Sequence, residues 1–281
     1  LWSGPAGGTG RTTLALALGV LAVEWGAKVG VAALAEPAAS VYLGLSRMPN
    51  AVDVLAEGRA LAQAEQTVTW PGADGRPLAL RLLLGPGRPR EGAVAREQIG
   101  KLVEAFRQAH PLAIVDLPVL APGGNAWALE PLAHVSDVVL VTPPTARGVA
   151  AAVEALATLR ELRLAPRLHL ALNRRLAGGL SAGQVVESVT QTWGACPPLA
   201  GEVVFLPQLP ARVGRGELPD LVVGQTPLAQ GLGDLAEAAC GLSRPVVEED
   251  EEGAMPPDRG EQAAERRRRR GLGRLISVEV T

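Results

Sequence analysis

Residues Ser3 to Leu14 read S-G-P-A-G-G-T-G-R-T-T-L. Gly4, Gly7, Gly8 and Gly10 crowd one short stretch, so the backbone can curl its N–H groups inward around an anion without Cβ clashes. The apolar run that follows at once predicts a helix. Thr12 and Thr13 then stand in its first turn, where hydroxyls, unpaired amides and the positive end of the helix dipole favour phosphate groups. A glycine-rich turn alone is weak evidence, and a merely structural turn is the alternative. Set between a strand and a helix, it reads as a cradle for a nucleotide's phosphates.

The rest of the chain supplies that setting. Thr12 to Trp25 is apolar almost all round, as a helix packed deep against a sheet requires, and Gly26 ends it. Lys28 to Leu34 reads as a buried strand, followed by the loop Ala35-Glu36-Pro37. Val41 to Leu45 reads as a surface segment, Ala51 to Leu61 as a helix, and Val68 to Trp70 and Leu78 to Leu84 as short strands about a turn. The alternation continues with a helix at Ala93 to Ala109, a strand at Leu112 to Asp116 and a helix at Trp127 to His134. Strands at Val138 to Thr142, Leu168 to Leu172 and Val203 to Leu206 are interleaved with helices at Val149 to Leu162 and Ser181 to Thr192, where Ser181 is the N-cap. Pro227 to Cys240 reads as a closing helix.

Short apolar strands alternating with helices predict one α/β domain, residues 1–243, with a mainly parallel sheet flanked by helices. Leu1-Trp2-Ser3 reads as the end of a truncated first strand, so the sequence is expected to be a fragment. Residues 244–281, acidic at Glu248 to Glu252 and basic at Arg266 to Arg270, read as a disordered linker and tail.

Composition removes several function classes. The net charge of −2 gives no global field for nucleic acid. Two cysteines, Cys196 and Cys240, are too few for a metal cluster or a disulfide framework and suit a reducing compartment. No apolar run is long enough for a membrane span and no signal peptide is visible, which favours the cytoplasm. His110, His134 and His169 lack the spacing for zinc or a catalytic triad and read as structural. Lys28 and Lys101 are the only lysines, a coding bias that offers a neutral route from Lys to Arg.

Ala6 to Thr13, A-G-G-T-G-R-T-T, resembles the deviant Walker A motif K-G-G-x-G-K-T-T of the MinD/ParA family of P-loop ATPases. In that family the first Lys reaches a dimer partner's nucleotide and the second contacts the β- and γ-phosphates; here those positions hold Ala6 and Arg11. Gly7, Gly8, Gly10, Thr12 and Thr13 match, with Thr9 at the variable position. The resemblance implies ATP and Mg²⁺ as ligands, Thr12 holding Mg²⁺ and Thr13 contacting the α-phosphate. A planar guanidinium is a poor geometric substitute for the compact ammonium. A methyl at Ala6 neutralises no phosphate charge. The family's D-x-D-P appears as Leu34-Ala35-Glu36-Pro37, without its first acid. Glu36 is then either a solvated loop carboxylate or a group near the nucleotide. Asp116, before Leu117-Pro118, resembles the Walker B acid that supports Mg²⁺ through water, with a buried structural Asp as the alternative. Asn173 is similar to the family's Asn that reads the adenine edge, and Pro207 to its proline loop beside the base.

Leu43 to Leu45, Ala51 to Ala56 and Asp137 to Thr145 resemble the pilus-assembly branch called TadZ or CpaE. The resemblance implies a homodimer, dependent on ATP, that works with a protein partner to position a pilus, secretion or septum apparatus. With Ala6, Arg11 and Leu34 at three steps of one reaction, hydrolysis is expected to be weak or absent. The alternatives are a pseudo-ATPase scaffold without a nucleotide cycle and a ParA-like DNA partitioning ATPase. Arg266 to Arg270 offer a basic patch for an anionic membrane surface, against a solvated tail or another partner.

Overall fold

A strand covered on both faces must be apolar at every position, and β1 (Val29–Ala33) is buried throughout its length. Alternate residues serve opposite layers. Val29, Val31 and Ala33 join an apolar cluster with the helix α1 (Arg11–Glu24), while Ala32 and the following Leu34 join a second cluster on the other face. This is a computed structural model, and it describes residues 1–35, 38–72, 75–86, 96–120, 126–175, 178–204, 206–223, 226–245 and 277–279. Glu36 lies outside the described residues, as do Arg266 to Arg270.

After β1 come three short helices, α2 (Ala38–Leu43), α3 (Ala51–Glu57) and α4 (Leu61–Ala64), then the hairpin β2 (Glu65–Pro71) and β3 (Pro77–Leu84). Next are α5 (Arg96–Ala109), β4 (Leu112–Asp116), α6 (Ala126–Leu129) with a 3₁₀ turn at Glu130–Ala133, and β5 (Asp137–Thr142). The chain continues through α7 (Ala146–Glu161), β6 (Arg167–Arg175), α8 (Ala182–Trp193) and β7 (Leu199–Val204). The last elements are α9 (Leu209–Val213), α10 (Leu218–Val222), α11 (Pro227–Cys240) and β8 (Ser277–Glu279).

Two strand groups form, β4-β1-β3-β2-β8 and β5-β6-β7. Pairings of β1 with β3 and β4, and of β6 with β5 and β7, are parallel; β2 pairs antiparallel with β3 and β8. Leu1 and Trp2 stitch the groups together. The Leu1 amine donates to Val115 O at 2.7 Å and Leu117 N donates to Leu1 O at 3.1 Å, on the β4 side. Trp2 N donates to Val139 O at 2.9 Å and Trp2 O accepts from Val141 N at 2.7 Å, on the β5 side. One layer results, with α1, α10 and α11 on one face and α5, α7 and α8 on the other.

The α/β class expected from the alternation is the observed one, and the differences are local. Val41 to Leu45, expected as a surface segment, overlaps the helix α2. The helix expected over Ala51 to Leu61 stops at Glu57, capped by Gly58, and opens with Asn50 and Asp53 exchanging side-chain-to-backbone hydrogen bonds. The strand expected from Val203 starts earlier, at Leu199, because β6 offers it a full parallel edge. Ser277–Glu279, expected within a disordered tail, pair with Thr67–Thr69 of β2, an edge that would otherwise leave main-chain groups unpaired.

α11 lies so close on β7 that only glycine fits between them. A Cβ at Gly231 would stand 2.1 Å from Glu202 O, and one at Gly201 2.7 Å from Gly231 O. On the same helix, a Cβ at Gly233 would meet only the movable guanidinium of Arg244. Gly231→Ala is therefore expected to lower stability by about 3 kcal/mol, whereas Gly233→Ala is neutral or gains up to about 1 kcal/mol of helix propensity. Urea unfolding of both variants checks this, and equal effects would show that the contact yields easily.

Candidate phosphate-binding site

Ser3 leaves the sheet at the C-terminal ends of β4 and β5, the edge at which open α/β sheets bind ligands. The loop is tied at its start. Ser3 Oγ donates to Ala6 O at 2.6 Å, Ala6 N donates to Ser3 O at 3.2 Å, and Leu120 N donates to Gly4 O at 3.0 Å. At its end, Gly8 and Gly10 take left-handed φ values of 68° and 83°, which residues with a Cβ resist. Gly10 is the N-cap of α1 and offers no side chain; the first turn carries no acid. The first bond from the helix back to its cap is Leu14 N to Gly10 O at 3.0 Å, so the amides of Arg11, Thr12 and Thr13 precede the intrahelical ladder.

Thr12 meets the C-terminal end of β4. Its Oγ1 donates to Asp116 Oδ2 at 2.6 Å, across 104 residues of sequence. Asp116 is fully buried at the end of β4, and its main-chain carbonyl accepts from both Leu34 N, at 2.9 Å, and Ala35 N, at 3.1 Å. Burial pushes its carboxyl pKa up, against the opposing pull of the Thr12 hydroxyl and the Arg11 charge. Burial likewise pulls the Arg11 guanidinium down, while Asp116 pulls it up. Arg11 Nη1, Thr9 Oγ1 and Asp116 Oδ1 are buried without a hydrogen-bond partner. Such orphans each cost about 1–3 kcal/mol. A phosphate group beside the first two and a hydrated Mg²⁺ beside the third would satisfy them, so these residues fit a magnesium nucleotide.

A cavity of about 230 Å³ opens from the loop. Gly8, Thr9, Gly10, Arg11, Thr12 and Thr13 form one wall. Val203, Val204, Leu206, Leu209, Leu218 and Leu228 form an apolar wall, with Tyr42 and Asn173 at its margins. Gly7 is an exposed loop residue outside the cavity lining, where a Cβ would approach Val119 at 3.8 Å. Asn173 is buried, and its Nδ2 donates to Thr9 O at 2.5 Å. Pro207 is exposed and does not line the cavity; its neighbours Leu206 and Leu209 do. Ala6 is buried within the loop. Leu34, standing where the resemblance implies an acid, packs with Trp2, Val115 and Leu117 and is 1% exposed.

The apolar wall went unread in the sequence. Tyr42, Leu209 and Leu218 belong to helices of five or six residues, too short to show periodicity, and Pro210 and Pro219, in the first turns of α9 and α10, are the local signals. The histidines lie elsewhere, each facing a carboxylate: His110 with Glu65 at 2.6 Å, His169 with Asp137 at 3.0 Å, and His134 with Glu130 at 3.6 Å. Among the described residues no cluster of three metal-binding side chains occurs, and no helix is long and apolar enough to cross a membrane.

No family model matches the chain, and no curated protein matches it in sequence. Solved structures do match in fold. MinD from the MinC:MinD cell division complex of Aquifex aeolicus is 23% identical with a TM-score of 0.68, over 87% of this chain and 96% of that one. The septum site-determining protein MinD of Pyrococcus horikoshii, complexed with Mg-ADP, is 20% identical with a TM-score of 0.67, over 84% and 92%. A ParA family ATPase of Chlorobium tepidum is 16% identical with a TM-score of 0.64, over 82% and 93%. The chain has the fold of the MinD/ParA P-loop ATPases.

Asp116→Asn keeps an acceptor for Thr12 and removes the buried charge. Because the folded pKa of Asp116 lies above its unfolded value, its carboxyl supports folding fully below about pH 4, and that support is lost as pH rises through the folded pKa. The Asn variant should therefore gain stability relative to the parent as pH is raised from about 4 to 7. Urea unfolding at both ends of that range checks the sign, and a gap that narrows with pH would contradict it.

Proposed function

We propose that the chain is a MinD/ParA-type protein that binds ATP with Mg²⁺, forms a nucleotide-dependent homodimer and positions a cellular apparatus of the pilus, secretion or septum kind. The observation that carries nucleotide binding is the Thr12–Asp116 hydrogen bond at the mouth of an uncapped helix, which joins an anion cradle to a cation-supporting acid. In this reading the amides of Arg11, Thr12 and Thr13 bind phosphate oxygens, and Arg11 supplies positive charge. Thr12 Oγ1 and Asp116, the latter through water, hold Mg²⁺. When bound, the metal neutralises phosphate charge. The apolar wall from Val203 to Leu228 excludes water from one side of the ligand. Positioning, the protein partner and the pilus-assembly branch rest on the fold likeness and on the motifs at Leu43 to Leu45, Ala51 to Ala56 and Asp137 to Thr145.

Hydrolysis is weak or absent in this reading. Ala6 brings no charge, Arg11 is held in the protein interior, and Leu34 turns a hydrocarbon into the core instead of a carboxylate toward an attacking water. The same three residues favour the second reading, a scaffold that uses the fold without a nucleotide cycle. Calorimetric titration with ATP and Mg²⁺ separates the two. Saturable binding supports the first, and no affinity at millimolar nucleotide removes it.

Replacing both Ala6→Lys and Arg11→Lys is expected to leave phosphate release within about tenfold of the parent, because charge and water placement are separate requirements. Adding Leu34→Asp would bury a carboxylate among Trp2, Val115 and Leu117 and unfold the chain more readily. Brisk turnover by the double variant in a phosphate-release assay would refute this ordering.

A further inference from the structure

Asn173 stands near the C-terminal end of β6, in register with Val203 of β7, and is 7% exposed. Its side chain crosses to the phosphate loop, where Nδ2 donates to Thr9 O at 2.5 Å. The amide orientation follows from chemistry, since the side-chain oxygen placed against a carbonyl would repel it. Thr9 lies between Gly8 and Gly10, both with left-handed φ, where a chain without Cβ atoms on either side has the most freedom to turn. A peptide is planar, so holding the Thr9 carbonyl also fixes the direction of the Gly10 N–H. Gly10 is in turn the cap on which α1 starts.

We propose that Asn173 is a positioning residue of the phosphate loop, a clamp on the Thr9–Gly10 peptide that keeps the loop's amides turned toward the polyphosphate. This deepens the proposed function and rests on the loop being a phosphate cradle. The juxtaposition that carries it is a buried side-chain amide, fixed to the sheet by its strand, bonded to the loop at Thr9, beyond the ties at Ser3, Gly4 and Ala6. Val203, the register partner of Asn173, lines the same cavity with Val204 and Leu206.

A clamp acts on every ligand with a polyphosphate, whereas a base reader acts only on the matching base. The experiment compares inorganic tripolyphosphate, ATP and GTP, each with Mg²⁺, by calorimetry on the unmodified chain, on Asn173→Ala and on Asn173→Asp, with folding verified by circular dichroism. Both substitutions remove the donor, and Asp keeps the shape. The expected result is a loss of about tenfold in affinity for all three ligands alike. A loss confined to ATP, with tripolyphosphate and GTP unchanged, overturns the clamp in favour of base reading. An independent measurement on the unmodified chain needs no variant to fold: the Asn173 side-chain amide resonance should shift alike with tripolyphosphate and with ATP. A shift with ATP alone overturns the proposal. If neither ligand binds the unmodified chain, the cradle reading itself fails and the clamp falls with it. Tight binding of both ligands combined with a loss confined to ATP rejects only the clamp.

Discussion

The first turn of α1 presents backbone donors that the chain's own side chains leave uncapped. Such an end, half-buried at Gly10, Thr12 and Thr13 and opening on a cavity, favours an anion where one can reach it. Much around the site can be read as the means of keeping that end where it is. The helix is buried on nearly all sides, so it cannot slide to find solvent; the loop before it is tied at Ser3, Gly4 and Ala6; and Thr12 is fastened to the end of β4. A site of this kind is created by withholding a partner from groups that want one. Arg11 Nη1, Thr9 Oγ1 and Asp116 Oδ1 extend the same pattern from main chain to side chain.

The withheld partners also separate binding from chemistry. In the proposed reading, binding needs inward amides, a cation-supporting acid and a cavity, for which the glycine-rich loop, Asp116 and the space beside them are the candidates. Hydrolysis needs charge that follows the transition state and an ordered water. Ala6 and Leu34 are buried apolar residues at the positions where the resemblance implies a charge and an acid. They contribute to packing, so the departures from the family motif have been absorbed into the core rather than left as gaps.

Several parts of this arrangement were legible in the sequence because they are local. The glycine spacing of the loop, the apolar run that became α1 and the acid closing Leu112 to Asp116 are each written within a few residues. Elements that depend on distant pairing were harder to read. β7 begins at Leu199 because β6 lies beside it, β8 exists because β2 has an edge, and the short helices α9 and α10 are held by contacts from α1, α2 and α11 rather than by their own periodicity. The site divides the same way. Thr12 and Asp116 were visible as residue types at the right stations, and their hydrogen bond follows from the sheet order. Asn173 was visible as a residue at a strand end, but its bond to Thr9 spans 164 positions and only the fold discloses it.

Asp116 occupies a junction of another kind. Its side chain meets the glycine-rich loop through Thr12, while its main-chain oxygen carries both Leu34 N and Ala35 N, the start of the loop that follows β1. One residue thus belongs to two connections at once. Rotation about its χ angles can move the carboxylate alone, whereas a shift of the Asp116 peptide carries the hydrogen bonds of Leu34 and Ala35 with it. The footing of the loop after β1 is therefore laid at the same residue that meets Thr12.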